Sequence, residues 1–166
     1  QKGMPRITFT EVEGVLEIVQ SDPWGRSLVW PQRFDVTFLG DDTMVTVEAV
    51  LTEESVALPI PEGTRTILPN TDGRGYGLFV PTAETMEWLL GHWQEVADET
   101  ARQALLMTLY ENYQAKLIGA DVWMEALLRG VETETNVLIA STLCSYLGEP
   151  LRELGTEQLE LQLWQY

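Results

Sequence analysis

Hydrophobic and polar residues alternate in short runs over the first half of the chain. Ile7-Thr8-Phe9-Thr10 reads as a strand, Glu13-Gly14 as a turn, and Val15–Gln20 as the hairpin partner. Ser21 to Gly25 is a loop. Arg33–Phe38 puts Phe34, Val36 and Phe38 on one face, which is the period of a half-buried strand. Gly40-Asp41-Asp42 is a turn, and Met44–Val50 is the next strand. Weaker strands are expected at Ser55–Leu58, Thr66–Leu68 and Tyr76–Val80. About seven short strands at this spacing predict an immunoglobulin-like β-sandwich over residues 1–81.

The period changes at residue 82. Thr82 is placed to N-cap a helix running to about Val96, with Glu84 and Glu87 in its first turns. Asp98 is placed to cap a second helix, with Ala101, Ala104, Leu105, Leu109 and Tyr113 on one face and Gly119 as its end. A third helix is expected from Asp121, with Val122, Trp123, Ala126 and Leu127 inward and Gly130 as its stop. A fourth runs from Glu134 to Leu147, closed by Gly148 and Pro150, and a fifth starts near Thr156. The loose recurrence of helix pairs is compatible with a HEAT- or armadillo-like array over residues 82–166. The expected fold class is therefore α+β by segregation.

Composition and charge narrow the function. The chain has 166 residues, 45% of them apolar, as expected of a packed protein rather than a disordered one. Its net charge is −16, with −6 in residues 1–80 and −10 in residues 81–166. That balance argues against nucleic acid and against an anionic membrane as partners. No run of about 18 apolar residues is present. The compartment stays open between cytoplasm and periplasm. The chain does not begin with Met, and the last helical segment reaches Tyr166 without a cap, so a piece of a longer protein is expected.

Candidate chemistry is sparse. A helical zinc site needs two His at i and i+4, and His92 is the only His. His92 reads as a polar residue at a helix end. Cys144 reads as a buried structural thiol between Leu143 and Leu147, without a base to activate it. The stretch Asp72–Gly77 is glycine-rich but is followed by neither a helix nor a Lys-Ser or Lys-Thr pair, so it reads as a turn feeding a strand. Asp41-Asp42 and Glu53-Glu54 read as solvated turns. Of the six Trp, Trp24 beside Pro23 and Gly25 marks the candidate binding loop, whereas Trp88, Trp93 and Trp123 fall in helical patterns. No catalytic residue, metal ligand or cofactor is assigned to this chain.

One ordered set of motifs remains. Ile67-Leu68-Pro69-Asn70-Thr71-Asp72-Gly73-Arg74-Gly75-Tyr76-Gly77 resembles the Pro-Asn…Gly-Tyr stretch of aminopeptidase N-like zinc metallopeptidases. Pro5–Phe9 with Gly14–Gln20, and Trp30-Pro31 with Phe34–Thr37, resemble the opening strands of that family's β-sandwich. Asp98–Arg102, Gly119, Leu127-Leu128 and Glu134 resemble the start of its C-terminal helical domain. The residues carrying the likeness most directly are Gln20, Trp30, Pro69, Asn70, Gly75, Tyr76, Arg102 and Glu134. Departures include the adjacency of Trp30 and Pro31 and the apolar run Leu78-Phe79-Val80-Pro81, and they mark a divergent branch.

The resemblance implies a sandwich spacer and part of a helical bowl that covers the active site. Zinc, its ligands and the peptide-binding loop would lie upstream, in a catalytic domain that this chain partners. Peptide would be the parent's substrate. Self-association of the isolated chain is expected through Leu161, Leu163, Trp164 and Tyr166. The alternative reading is a stand-alone binding module using Trp24, and a third is an oligomerisation domain.

Overall fold

The computed structural model describes residues 3–163, with residues 156–163 through their backbone alone. Seven strands come first: β1 (Arg6–Val12), β2 (Val15–Ser21), β3 (Gln32–Leu39), β4 (Met44–Leu51), β5 (Ser55–Pro59), β6 (Thr66–Leu68) and β7 (Leu78–Val80). Five α-helices follow: α1 (Ala83–His92), α2 (Glu99–Gln114), α3 (Ala120–Thr133), α4 (Val137–Tyr146) and α5 (Gly148–Leu163). Strands and helices are thus segregated along the chain, in a mixed α+β fold.

The strands form two sheets, ordered β5-β2-β1-β7 and β4-β3-β6. All pairings are antiparallel except β1 with β7, which is parallel. The β1–β2 hairpin closes at Glu13 (φ +49°) and Gly14 (φ +80°), two successive positive φ values that match the twist of the flanking strands. One hydrophobic core lies between contributions from both sheets. Ile7, Leu16 and Ile18 come from the first, and Phe34, Val36, Phe38 and Leu51 from the second. The alternation that places Phe34, Val36 and Phe38 on one face is therefore what buries them.

A second core belongs to the helices and is built on Trp93, Leu105, Leu109, Trp123, Leu127 and Leu143. Leu68 at the end of β6 joins this second core rather than the first. Asn112 Nδ2 donates to the Phe79 carbonyl at 2.7 Å, so α2 is also tied to β7. Helix α3 is central, touching α1, α2, α4 and α5.

Both foreseen N-caps form. Thr82 Oγ1 accepts from the Thr85 N–H, and Asp98 Oδ1 accepts from the Ala101 N–H at 2.8 Å. Several helix ends differ from expectation. Helix α1 stops at His92 instead of near Val96, and a 3-10 turn at Trp93–Glu95 swings the Trp93 indole into the core. Helix α2 ends at Gln114, not Gly119. Lys116 takes the left-handed position (φ +60°), and the Leu117 and Lys116 N–H groups close onto the Asn112 and Tyr113 carbonyls. Gly119 instead N-caps α3, which begins at Ala120.

Gly130 does not stop α3. It lies inside the helix, and glycine is needed there because a Cβ would sit 2.3 Å from Trp93 Cζ2. Glu134 closes α3, and Asn136 caps α4 through its side chain, so the fourth helix starts at Val137 rather than Glu134. Gly148 and Pro150 open α5 instead of closing α4. Proline is tolerated there because first-turn N–H groups lack intrahelical partners anyway. The fifth helix therefore starts at Gly148, not near Thr156. Strand β7 begins at Leu78, two residues later than expected. Val122 is exposed rather than inward, and Cys144 is exposed rather than buried.

Candidate functional site

The glycine-rich segment is a braced turn. Pro69 and Asn70 are buried, and Asn70 has φ +49°, a conformation that Asn tolerates better than most residues. Its Oδ1 accepts from the Gly75 N–H at 2.7 Å. A Cβ on Gly75 would lie 2.4 Å from Phe79 Cζ and 2.8 Å from that same Oδ1, so glycine alone fits without displacement. Tyr76 is exposed, and its N–H donates to Gln32 Oε1 at 2.8 Å. Arg74 bonds Asp72 and also reaches Asp35 and Glu48 on the outer face of β3 and β4. The turn thus feeds β7 and fastens to the second sheet.

Gln20, at the end of β2, is buried and works as a clamp. Its Nε2 donates to the Glu53 carbonyl at 2.5 Å, and its Oε1 accepts from the Trp30 N–H at 3.0 Å. The half-buried Trp30 is thereby held by its backbone. The neighbouring loop is organised by Asp22. Its carboxylate accepts from Arg26 Nε at 2.9 Å, Arg26 Nη2 at 3.0 Å and the Trp24 N–H at 3.0 Å. Those Arg26 hydrogen bonds, with help from the backbone, hold the Asp22 pKa at about 2. Trp24 is 73% exposed on this loop, against Gly3.

Arg102 and Glu134 meet, although 32 positions separate them. Arg102 Nε and Nη2 donate to the two Glu134 oxygens at 2.9 and 3.2 Å. Arg102 Nη1 also donates to the Val96 and Ala97 carbonyls. Burial raises the Glu134 pKa, but hydrogen bonds from Arg102 and the Asn136 N–H outweigh it and hold the group below its ordinary value. The pair closes the 3-10 turn, α2 and the end of α3 onto one another.

The eight motif residues therefore fall into three structural devices, and the structure does not bring them together at one site. Other features were not anticipated from the sequence. Burial alone pushes the Glu111 carboxyl on α2 up to about 7. A hydroxyl chain links Thr46, Thr37 and Thr71 at 2.9 Å per step across β4, β3 and the turn. A 630 Å³ groove between α1 and α3 is lined by Met86, Leu90, Val122 and Leu117, with Glu87, Glu125 and Arg129 among its walls. The helical pattern assigns Val122 inward, so nothing in the sequence pointed to this groove, which Val122 lines from the exposed face of α3.

His92 is exposed and pairs with Glu95 at 3.1 Å. Among the described residues, no group of three or more His, Cys, Asp or Glu side chains is arranged to hold a metal ion. Among the same residues, no helix is long and apolar enough to cross a membrane. Trp164 and Tyr166 lie outside the described residues, as do the side chains of Leu161 and Leu163. No family model matches the chain, and no curated protein matches it.

Proposed function

We propose that the chain is a non-catalytic part of an aminopeptidase N-like zinc metallopeptidase. Residues 1–81 are an immunoglobulin-like sandwich spacer, and residues 82–166 begin a HEAT- or armadillo-like helical domain over the parent's active site. The observation that carries the reading is the work done by the motif residues. Gln20, Asn70 with Gly75, and Arg102 with Glu134 each lock two or more chain segments into place. Residues of a scaffold are expected to behave in this way.

On this reading the chain itself turns over no substrate and holds no zinc. The metal and its ligands belong to an upstream catalytic domain, whose peptide substrate the helical part encloses. Exposed apolar residues such as Val137 and Leu138 are then contact surface for the parent, and the isolated chain self-associates through patches of this kind. The compartment is cytoplasm or periplasm.

The experiment is a zinc determination with an assay on aminoacyl-arylamides, together with the upstream sequence of the gene. An upstream His-Glu-x-x-His, no turnover and no stoichiometric zinc in the chain are the expected results. Bound zinc or real turnover by the chain alone overturns the reading. The second reading, a stand-alone binding module, is favoured by the exposure of Trp24 on an ordered loop. An upstream stop codon decides for it.

A further inference from the structure

Two stacked sheets have four edges, here β5, β7, β4 and β6. Unpaired edges invite strand addition, so proteins shorten, cover or charge them. Three of the four edges follow that rule. β7 has three residues and is covered by α2, whose Asn112 occupies the Phe79 carbonyl. β6 also has three residues and lies against α1. β5 has five and ends in Pro59.

β4 breaks the rule. It has eight residues, Met44 to Leu51, with neither Pro nor Lys and with Glu48, which pairs with Arg33 and Arg74, as its one charge, and among the described residues it pairs only with β3. Met44 is 72% exposed, and Val45 and Val50 are exposed as well. Acid pairs bracket the strand at both ends, Asp41-Asp42 before it and Glu53-Glu54 after it, and all four residues are exposed. Asp41 is paired with Arg65, which leaves Asp42 as the acid at that end without an ion pair among the described residues. A cleft of about 460 Å³ beside the second pair is lined by Val29, Thr52, Glu53, Glu54 and Ser55.

We propose that the free edge of β4 is a docking site for an extended, basic segment of another polypeptide chain, which adds a strand to the β4-β3-β6 sheet. Main-chain hydrogen bonds supply the affinity, and the terminal acids select cationic ends. Charge decides between this occupant and a second copy. Antiparallel pairing of two β4 edges sets Asp42 of each copy against Glu53-Glu54 of the other, so both ends repel even with Asp41 neutralised by Arg65, and each copy carries −16. A strand with basic ends relieves both contacts. The proposal is independent of the aminopeptidase reading.

The test uses the 166-residue chain and the twelve-residue peptide Lys-Lys-(Thr-Val)4-Lys-Lys. Its length is set by ~3.3 Å per residue over the span between the two acid pairs. Hydrogen exchange at residues 44–51 is expected to slow at least ten-fold on peptide addition, with binding weakened by salt. The same peptide with Glu for Lys, or with alternate backbone amides methylated, is expected to give no protection. The double variant D42K/E53K changes two exposed side chains, and once circular dichroism shows the native spectrum it is expected to bind at least ten-fold more weakly. Equal protection by the Glu peptide or the methylated peptide overturns the proposal, as does unchanged binding by the double variant. Protection of residues 44–51 that rises with protein concentration alone makes a second copy the occupant, which also overturns it.

Discussion

Arg102 and Glu134 form a two-point ion pair in which Glu134 is almost wholly buried and Arg102 nearly so. The guanidinium spends its remaining reach on the Val96 and Ala97 carbonyls, and Glu134 also accepts from the Asn136 N–H at 2.7 Å. Removing one partner strands the other charge in the interior. Glu134→Gln and Arg102→Met are therefore each expected to cost about 3–5 kcal/mol in urea unfolding. The double variant Arg102→Met/Glu134→Leu should recover part of that loss.

The same pair sets an acid limb of stability. The folded pKa of Glu134 lies below its ordinary 4.5, so its contribution is present above that value and is lost as pH falls through the folded value. The ratio of folded to unfolded protein should fall more steeply below pH 4.5 in the native chain than in Glu134→Gln. Parallel curves for the two proteins would refute this.

Glu111 works in the opposite sense. Burial pushes its pKa to about 7, above the ordinary 4.5, so the folded state binds a proton that the unfolded state releases between those values. Stability attributable to Glu111 therefore falls as pH rises from 4.5 to 7. Because water reaches the group, the expected gain from Glu111→Gln is only about 1 kcal/mol at pH 8, vanishing near pH 4. Thermal unfolding at the two pH values reads the difference.

Gly130 and Gly91 are both helical glycines and should respond oppositely to alanine. The Gly130 Cβ would strike the Trp93 ring, whose Nε1 is already fixed by a hydrogen bond to the Ala126 carbonyl at 3.1 Å. Gly130→Ala is expected to cost about 1–3 kcal/mol. Gly91 has open space around its Cβ position, so Gly91→Ala should stabilise by about 0.5–1 kcal/mol. Calorimetry on the two variants checks the contrast.

Asn70 combines a positive φ with an accepting side chain, and the two contributions separate by mutation. Asn70→Ala loses both and is expected to cost about 1–3 kcal/mol. Asn70→Gly keeps the backbone conformation and should cost less. Equal losses would show that backbone strain contributes nothing at this turn.

How far the fold could be read depended on the range of the rule used. Phe34, Val36 and Phe38 were legible because alternation is a property of adjacent residues, as were Thr82 and Asp98, whose oxygens reach only three positions along the chain. Lys116 was not legible as a helix end. Glycine is the usual signal there, and Lys takes the left-handed position only within a closed Leu117–Asn112 turn. The devices built from Gln20, Asn70 and Arg102 could be singled out by resemblance. What each does could not, because their partners lie at Glu53, Gly75 and Glu134.

The sequence by itself determined the strand-to-helix division near residue 81, the hairpin at Glu13-Gly14, the first two helix caps and the acidic balance, because each depends on local order or on plain counting. Only the tertiary structure decided that Gly130 is a seat for Trp93, that Glu134 ends one helix while pairing with the start of another, and that β4 is an edge strand among the described residues. Those outcomes depend on which surfaces meet across dozens of residues, where close packing and the pairing of buried charge choose among local options of nearly equal energy.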